Sequence, residues 1–178
     1  MSSGDRTQPS SLRVAAIGVI TALVVVIGYV RVPLPATQGI FTLADIAIYF
    51  AAFALGPWTA AIAGGLGTGV IDLIGGTAQY APTSLLVHGV QGLLAGLIAS
   101  IGRGSRPPVV SWILAGICGT IIMAGGYLAA ETLLYGGFAK AITEVVFNLA
   151  QSIVGAVGGG LLAVAVRRAY PPIERLRW

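Results

Sequence analysis

Long apolar runs separated by short polar segments constrain this chain more than any other feature. Only 9% of its 178 residues are charged, and 56% are hydrophobic. A soluble domain averages about 25% charged residues, so this chain has too few charges to cover a water-facing surface. We therefore expect an all-α membrane protein, because helices satisfy their own backbone hydrogen bonds in lipid.

The lengths of the apolar runs predict how many helices cross the membrane. A helix needs about 20 residues to cross a bilayer core of about 30 Å. Six transmembrane helices are predicted to form one compact bundle (residues 12–168), at 12–30, 42–55, 57–74, 83–101, 109–135 and 140–168. The second is short for a full crossing. Segments 31–41 and 75–82 are predicted loops, residues 1–11 a disordered cytoplasmic amino terminus, and residues 169–178 a polar cytoplasmic tail.

The positions of lysine and arginine predict the orientation of the bundle. Cytoplasmic loops of membrane proteins are enriched in these residues. With the amino terminus inside, only Arg31 and Lys140 face outward, and the cytoplasm receives Arg6, Arg13, Arg103, Arg106, Arg167, Arg168, Arg175 and Arg177. An even number of crossings returns the carboxyl terminus to the same side. Because the basic residues flank apolar runs, the net charge of +4 does not indicate nucleic-acid binding.

Polar side chains inside the predicted helices are the first candidates for function, because ionisable groups are costly in hydrocarbon. Asp45 begins the second helix, Glu131 lies near the end of the fifth, and Glu144 lies in the first turns of the sixth. With the predicted orientation, nearly all such groups fall in the outer half of the bilayer. The inner halves are almost purely apolar. This asymmetry predicts a cup that is open to the exterior, and not a channel.

Spacing gathers several of these candidates onto two helix faces. The fourth and sixth helices each carry polar residues at positions i, i+4 and i+7, namely Ser84, His88 and Gln91, and Glu144, Asn148 and Gln151. Residues at this spacing share one face, and lipid cannot satisfy their hydrogen bonds. Two interpretations stay open: hydrogen bonding between helices alone, or a site for a neutral polar ring. Tyr80, Tyr127 and Phe147 could stack on such a ring.

Motifs for other kinds of chemistry are absent from the sequence. There is no GxxxxGK[ST], so the chain has no ATPase site of its own, and HExxH and GxSxG are also missing. His88 is the only histidine and Cys118 the only cysteine, which leaves too few ligands for a metal site. The chain is therefore predicted to be neither an enzyme nor a protein that holds a metal or a cofactor.

Two long stretches carry a family resemblance. They read GGTAQYAPTSLLVHGVQGLLAGLIAS (75–100) and GGYLAAETLLYGGFAKAITEVVFNLAQSIVGAVGGG (125–160). The first resembles the outer loop and fourth helix of the substrate-binding S components of energy-coupling factor (ECF) transporters. The second is similar to the end of their fifth helix and to their sixth. The resemblance is greatest to the riboflavin-type branch, which also includes proteins that bind hydroxymethylpyrimidine and other vitamin precursors.

The resemblance implies a six-helix protein of a prokaryotic cell membrane that captures a vitamin from outside. Ligand contacts are implied from the loop after the first helix, which acts as a lid, and from the last three helices. The residues predicted to contact or enclose the ligand are Gln38, Asp45, Tyr80, His88, Gln91, Tyr127, Glu131, Glu144, Asn148 and Gln151. Among them, Gln38 and Asp45 are expected to close over the site.

The resemblance also implies partner proteins. Members of the family work with a membrane scaffold (T) subunit and two cytoplasmic ATPases. The scaffold contacts small residues on the first helix, typically Ala-x-x-x-Ala. The nearest equivalent here is Gly18-x-x-x-Ala22, with Ala15 one turn earlier. Small residues at these positions allow another helix to approach closely.

Two alternatives of other kinds remain open on the sequence alone. One is a small-solute carrier that works without ATPase partners, and the other is a membrane enzyme or a structural scaffold protein. The ligand also stays open among riboflavin, a thiamine pyrimidine precursor, a pyridoxine-like ring and a queuosine precursor. The lack of a cationic cluster in the cup argues against a multiply phosphorylated ligand.

Overall fold

Helices dominate the computed structural model, which describes residues 10–34, 39–101 and 109–178. Its main elements are α1 (Ser10–Gly28), α2 (Ala44–Ala54), α3 (Pro57–Ile74), α4 (Ala81–Ile101), α5 (Val109–Ala130) and α6 (Phe138–Ala169). Of the segment 1–11, predicted to be disordered, residues 10 and 11 belong to α1. Residues 1–9 of that segment lie outside the described ranges, as do Gln38, Arg103 and Arg106.

Consecutive helices run in opposite directions, so the bundle has two distinct ends. The hairpin end carries the antiparallel strands β1 (Arg31–Pro33) and β2 (Ile40–Thr42), together with the starts of α2, α4 and α6. The tail end carries the carboxyl terminus of the chain. There the Arg13 guanidinium lies 5.1 Å from the centre of the Trp178 ring. The start of α1 and the end of the chain are therefore neighbours.

Among the described residues, five helices are long and apolar enough to cross a membrane: α1, α3, α4, α5 and α6. Helix α2 has 11 residues and spans about 17 Å at 1.5 Å per residue. That is about half of a bilayer core. The structure thus supports a multi-pass, almost entirely helical membrane protein. The sixth crossing and the side that each end faces stay predictions.

Helix α2 is the buried centre of the bundle. Tyr49 is fully buried and Phe53 nearly so, and α6 packs on them through a stripe of small residues. A Cβ added at Gly159 would lie 2.6 Å from the backbone nitrogen of Phe50, so only glycine permits this approach. The outer faces of the other helices are apolar and exposed, with Leu161 at 68%. They match a lipid environment.

The structure departs from the predicted boundaries in several places, and three of these differences lie at the hairpin end. The segment 31–41, predicted to be a loop, holds a hairpin in which Arg31 pairs with Thr42. The fifth predicted helix changes from α to π geometry over Glu131–Tyr135. Helix α6 begins at Phe138, two residues earlier than predicted, because Gly137 has φ +84° and breaks the chain just before it.

The carboxyl-terminal tail is packed against the bundle. It forms a 3-10 helix over Pro171–Leu176, and Ile173 is buried. Arg177 donates a 2.6 Å hydrogen bond to the carbonyl of Phe53, and the Trp178 backbone N–H donates to Leu55 at 3.1 Å. The last carbonyl groups of a helix lack partners within the helix. The tail therefore caps the carboxyl-terminal end of the short α2.

Candidate ligand-binding site

A buried carboxylate near the start of α2 organises the polar groups of the hairpin end. Asp45 is fully buried. Its two oxygens accept hydrogen bonds from the side-chain amides of Gln91 at 2.6 Å and Gln151 at 2.7 Å. His88 Nδ1 lies 2.7 Å from the amide oxygen of Gln91, and it donates because that oxygen can only accept. One acidic residue thus joins α2, α4 and α6.

A layer of hydroxyl groups lies next to this carboxylate. Ser152 accepts hydrogen bonds from Thr120 at 3.0 Å and from the Gln91 amide at 3.3 Å. The Tyr49 hydroxyl donates to the carbonyl of Gly116, so Ser152 donates to Tyr49 across their 2.9 Å contact. These groups are satisfied by one another. Toward the tail end the core becomes apolar.

A cavity of about 70 Å³ lies between this network and the hairpin. On the same measure one water needs about 10–15 Å³, so the cavity has room for several waters or a small ring. Seven of the predicted ligand-contacting residues line it: Tyr80, His88, Tyr127, Glu131, Glu144, Asn148 and Gln151. Asp45 and Gln91 do not line it. They lie behind its wall, where they hold the Gln151 and His88 side chains.

An ion pair closes one side of the cavity. Lys140 Nζ lies 2.8 Å from Glu131 Oε2 and 4.0 Å from Glu144 Oε1, and it donates to the Tyr80 hydroxyl at 2.8 Å. Glu131 is almost fully buried. A Cβ at Gly39 in the hairpin would collide with the Glu144 carboxylate, so the hairpin lies directly on this acid.

Aromatic rings form another wall of the cavity. The Tyr127 hydroxyl lies 2.6 Å from Ser84 Oγ, and its ring meets the His88 ring edge-on at 5.7 Å. Tyr80 packs against Tyr135, with ring centres 4.4 Å apart. Ring faces and hydroxyl groups beside amides and carboxylates are suited to a flat polar ligand.

Acceptors outnumber cations around the cavity. Among the described residues, the charged groups in or beside it are four acids and two bases: Asp45, Asp72, Glu131, Glu144, Arg31 and Lys140. No group of three or more histidine, cysteine, aspartate or glutamate side chains in the described ranges could hold a metal ion. The site is therefore suited to bind a donor-rich organic ligand.

A comparison with protein families agrees with this geometry. The model of the family described as ECF-type riboflavin transporter, S component, matches residues 9–168. This chain belongs to that family. An S component is a transport subunit, so the protein is not an enzyme.

Two relatives extend the comparison. The S component is 37% identical over 150 residues to the thiamine precursor transporter HmpT of Lactococcus lactis subsp. cremoris (strain MG1363). The matched region covers 83% of each of the two chains. It is 32% identical over 146 residues to a Pyrococcus woesei protein described as an uncharacterized protein in the gap 3' region. That match covers 82% of this S component and 95% of the relative.

The small residues predicted to dock the scaffold lie on the outer surface of the S component. Ala15, Gly18 and Ala22 are all exposed along α1. A Cβ at Gly18 would meet no atom within 4 Å, so no described part of the chain covers this strip. Its role in docking stays a prediction.

Sequence reasoning missed several residues that build the site of this S component. The sequence pattern assigns Lys140 and Arg31 only to membrane orientation, although Lys140 pairs with Glu131 and Arg31 lines the cavity. Ser152 was also missed, although it links the Gln91 amide to the Tyr49 hydroxyl. A lone lysine in the first turn of a helix gives no sequence signal that distinguishes a site residue from an interfacial one.

Proposed function

We infer that this protein is the substrate-capture subunit of an ECF transporter, and that it holds a vitamin precursor in the cavity at the hairpin end. The observation that carries this inference is a cavity lined by carboxylates, amides and tyrosines at the hairpin end, whereas the described residues toward the tail end have a predominantly apolar core. A channel would require polar groups through the whole thickness. An acceptor-rich cavity closed by a hairpin suits capture and release.

The size of the cavity favours a ligand with one ring. About 70 Å³ suits a substituted pyrimidine better than the three fused rings and ribityl chain of riboflavin. The relative HmpT is named as a thiamine precursor transporter. We therefore propose hydroxymethylpyrimidine, a thiamine precursor, as the ligand. A larger ring system would need the hairpin to move outward.

The chemistry of the lining supports the same ligand class. An aminopyrimidine presents an exocyclic amine as a donor and ring nitrogens as acceptors. Glu144, Asn148 and the Nε2 atom of a neutral His88 would accept from the amine, and Lys140 would donate to a ring nitrogen or the hydroxymethyl oxygen. Tyr127 would lie against the ring face. Asp45 and Gln91 would act indirectly, by holding Gln151 and His88 in place.

The membrane setting and the partners belong to the same proposal. The protein would lie in a prokaryotic cell membrane, with α2 as a sixth, partial crossing and with the tail end in the cytoplasm. Ala15, Gly18 and Ala22 would dock a membrane scaffold subunit, which two ATPases drive. The hairpin, together with Gln38, would close over the ligand. Asp45 would not take part in closure, contrary to the sequence-based expectation, because it is buried behind the opposite wall.

A binding assay on the purified protein tests the ligand. Titration calorimetry in detergent would compare hydroxymethylpyrimidine, riboflavin and pyridoxine under identical conditions. We expect the pyrimidine to bind most tightly. Tighter binding of riboflavin would refute the one-ring ligand, and no binding of any of the three would count against a vitamin-capture role.

Reconstitution tests the dependence on partners. Vesicles that contain only this chain should not accumulate the pyrimidine, whereas vesicles that also contain the scaffold and both ATPases should accumulate it when ATP is present. Accumulation by the chain alone would indicate a stand-alone carrier instead.

A further inference from the structure

A second concave surface lies between α5 and α6, outside the bundle and toward the tail end. It is an apolar groove of about 830 Å³ whose floor includes Phe53 and Trp112. Its α5 wall carries Ile113, Ile117 and Ile121, which recur every four residues and are all more than half exposed. From Val109 to Ile121 this wall runs about 18 Å along the helix axis. The groove thus has the length and polarity of an extended acyl chain.

The tail-end mouth of the groove is basic. Arg167 and Arg168 both line it. Arg167 is engaged within the protein, since it donates to the carbonyl of Phe53 at 2.7 Å and its Nε lies 3.4 Å from Glu174. Arg168 is exposed. From Phe138 to Arg168 the helix runs about 45 Å, which is about the thickness of a bilayer including its headgroups. Arg168 therefore lies at headgroup level.

We propose that this groove is a binding site for an anionic phospholipid, with one acyl chain along α5 and α6 and the phosphate at Arg168. Apolar walls match the chain, and the guanidinium matches the phosphate. Basic pockets at the ends of transmembrane helices bind anionic headgroups in this way. A transmembrane helix in the groove would leave the charge of Arg168 without a partner unless that helix supplied an acid. A phospholipid supplies both parts in one molecule.

Lipid retention measured by native mass spectrometry tests the proposal. The full chain would be extracted from nanodiscs with equal amounts of phosphatidylglycerol and phosphatidylcholine, and the phospholipid that stays bound would be identified. We expect wild type to retain phosphatidylglycerol selectively. Arg168→Gln should reduce that retention about fivefold, the effect of one basic residue at an anionic membrane surface.

Two further variants separate the groove from general electrostatics. Gly160→Leu keeps every charge and fills the groove, because a Cβ there meets only the Phe53 and Trp112 rings at 3.7 Å or more; it should reduce retention of either lipid. Arg175→Gln removes an exposed charge at the same end but outside the groove, and it should behave as wild type. Equal loss in Arg168→Gln and Arg175→Gln would overturn the proposal. The proposal would also be overturned if the wild-type protein retained neither lipid selectively, or if a second copy of the chain occupied the groove.

Discussion

At the scale of single residues, the site depends on compensation for one buried charge. A carboxylate is costly in an apolar interior unless hydrogen bonds replace its hydration. Asp45 is fully buried, and amide donors from α4 and α6 satisfy both of its oxygens. Because Asp45 lies near the start of α2, these hydrogen bonds join α2, α4 and α6 at one point. The same bonds hold His88 and Gln151 in the wall of the cavity.

Replacement of Asp45 tests this compensation. Asp45→Ala leaves two buried amide donors without a partner and should cost about 3–6 kcal/mol, since hydrogen bonds to charged groups contribute about 1.5–3 kcal/mol each. Asp45→Asn keeps the shape and one acceptor, so it should cost clearly less. Thermal unfolding in detergent measures both. Equal loss in the two variants would contradict this expectation, because it would show that neither the preserved shape nor one remaining acceptor compensates for the lost carboxylate.

The ion pair of Lys140 and Glu131 can be tested by a double-mutant cycle. Lys140→Met leaves a buried carboxylate without its cation and should destabilise the protein by about 2–3 kcal/mol. This is somewhat below the cost of breaking a fully buried ion pair, because Lys140 is partly exposed. Adding Glu131→Leu should recover most of this loss. If the double variant is less stable than Lys140→Met, Glu131 has stabilising contacts beyond this lysine.

Residue spacing predicted much of the site, but not how deep each group lies. The i, i+4, i+7 pattern predicted that the polar faces of α4 and α6 look inward, and His88 and Gln151 do line one cavity. Near the start of a helix, Asp45 could equally have been solvated at the membrane surface. Its burial depends on Gly155, where any Cβ would collide with the Asp45 side chain. Such contacts between distant segments leave no local pattern.

At the scale of elements, α2 and α6 pack closely at the centre of the bundle. Small residues on α6 let the two backbones approach, which is how helices associate without a hydrophobic driving force in lipid. Sequence composition showed these glycines and predicted close packing. The π turn at Glu131–Tyr135 and the hairpin could not be predicted, because both arise from tertiary contacts and not from local propensity.

A neighbouring pair of glycines tests this packing. A Cβ at Gly159 would lie 2.6 Å from the Phe50 backbone nitrogen, whereas a Cβ at Gly160 would meet only side chains at 3.7 Å or more. Gly159→Ala should therefore lower stability by about 1–3 kcal/mol, the usual cost of overpacking. Gly160→Ala gains the same helix propensity without a clash, so it should be neutral or stabilising. Thermal unfolding that ranks them in reverse would contradict this packing.

At the scale of the whole molecule, polarity is distributed unequally between the two ends. The hairpin end holds the acids, amides and tyrosines of the cavity, while the tail end holds arginines that cap α2 and line the lipid-facing groove. The length and apolarity of the helices predicted a membrane protein correctly. The number of crossings is harder to predict, because α2 is too short to span the bilayer alone. The tail packs against its end and donates hydrogen bonds to its last carbonyl groups.

Cysteine labelling tests the orientation of this polarity. In a Cys118→Ser background, Val32→Cys on the exposed hairpin should react with a membrane-impermeant maleimide on intact cells. Arg175→Cys in the tail should react only after the membrane is permeabilised. The opposite pattern would place the cavity on the cytoplasmic side and would refute uptake from outside.

The most direct test of the central claim is the affinity of hydroxymethylpyrimidine for three α6 variants, measured by titration calorimetry. Asn148→Ala and Glu144→Ala remove groups that line the cavity, and each should weaken binding at least tenfold, since a lost hydrogen bond to a charged or buried group costs about 1.5–3 kcal/mol. Val146→Ala lies between them on the lipid-facing side, with Val146 67% exposed, and it should bind as wild type does. Unchanged affinity in both cavity variants would contradict the proposed site.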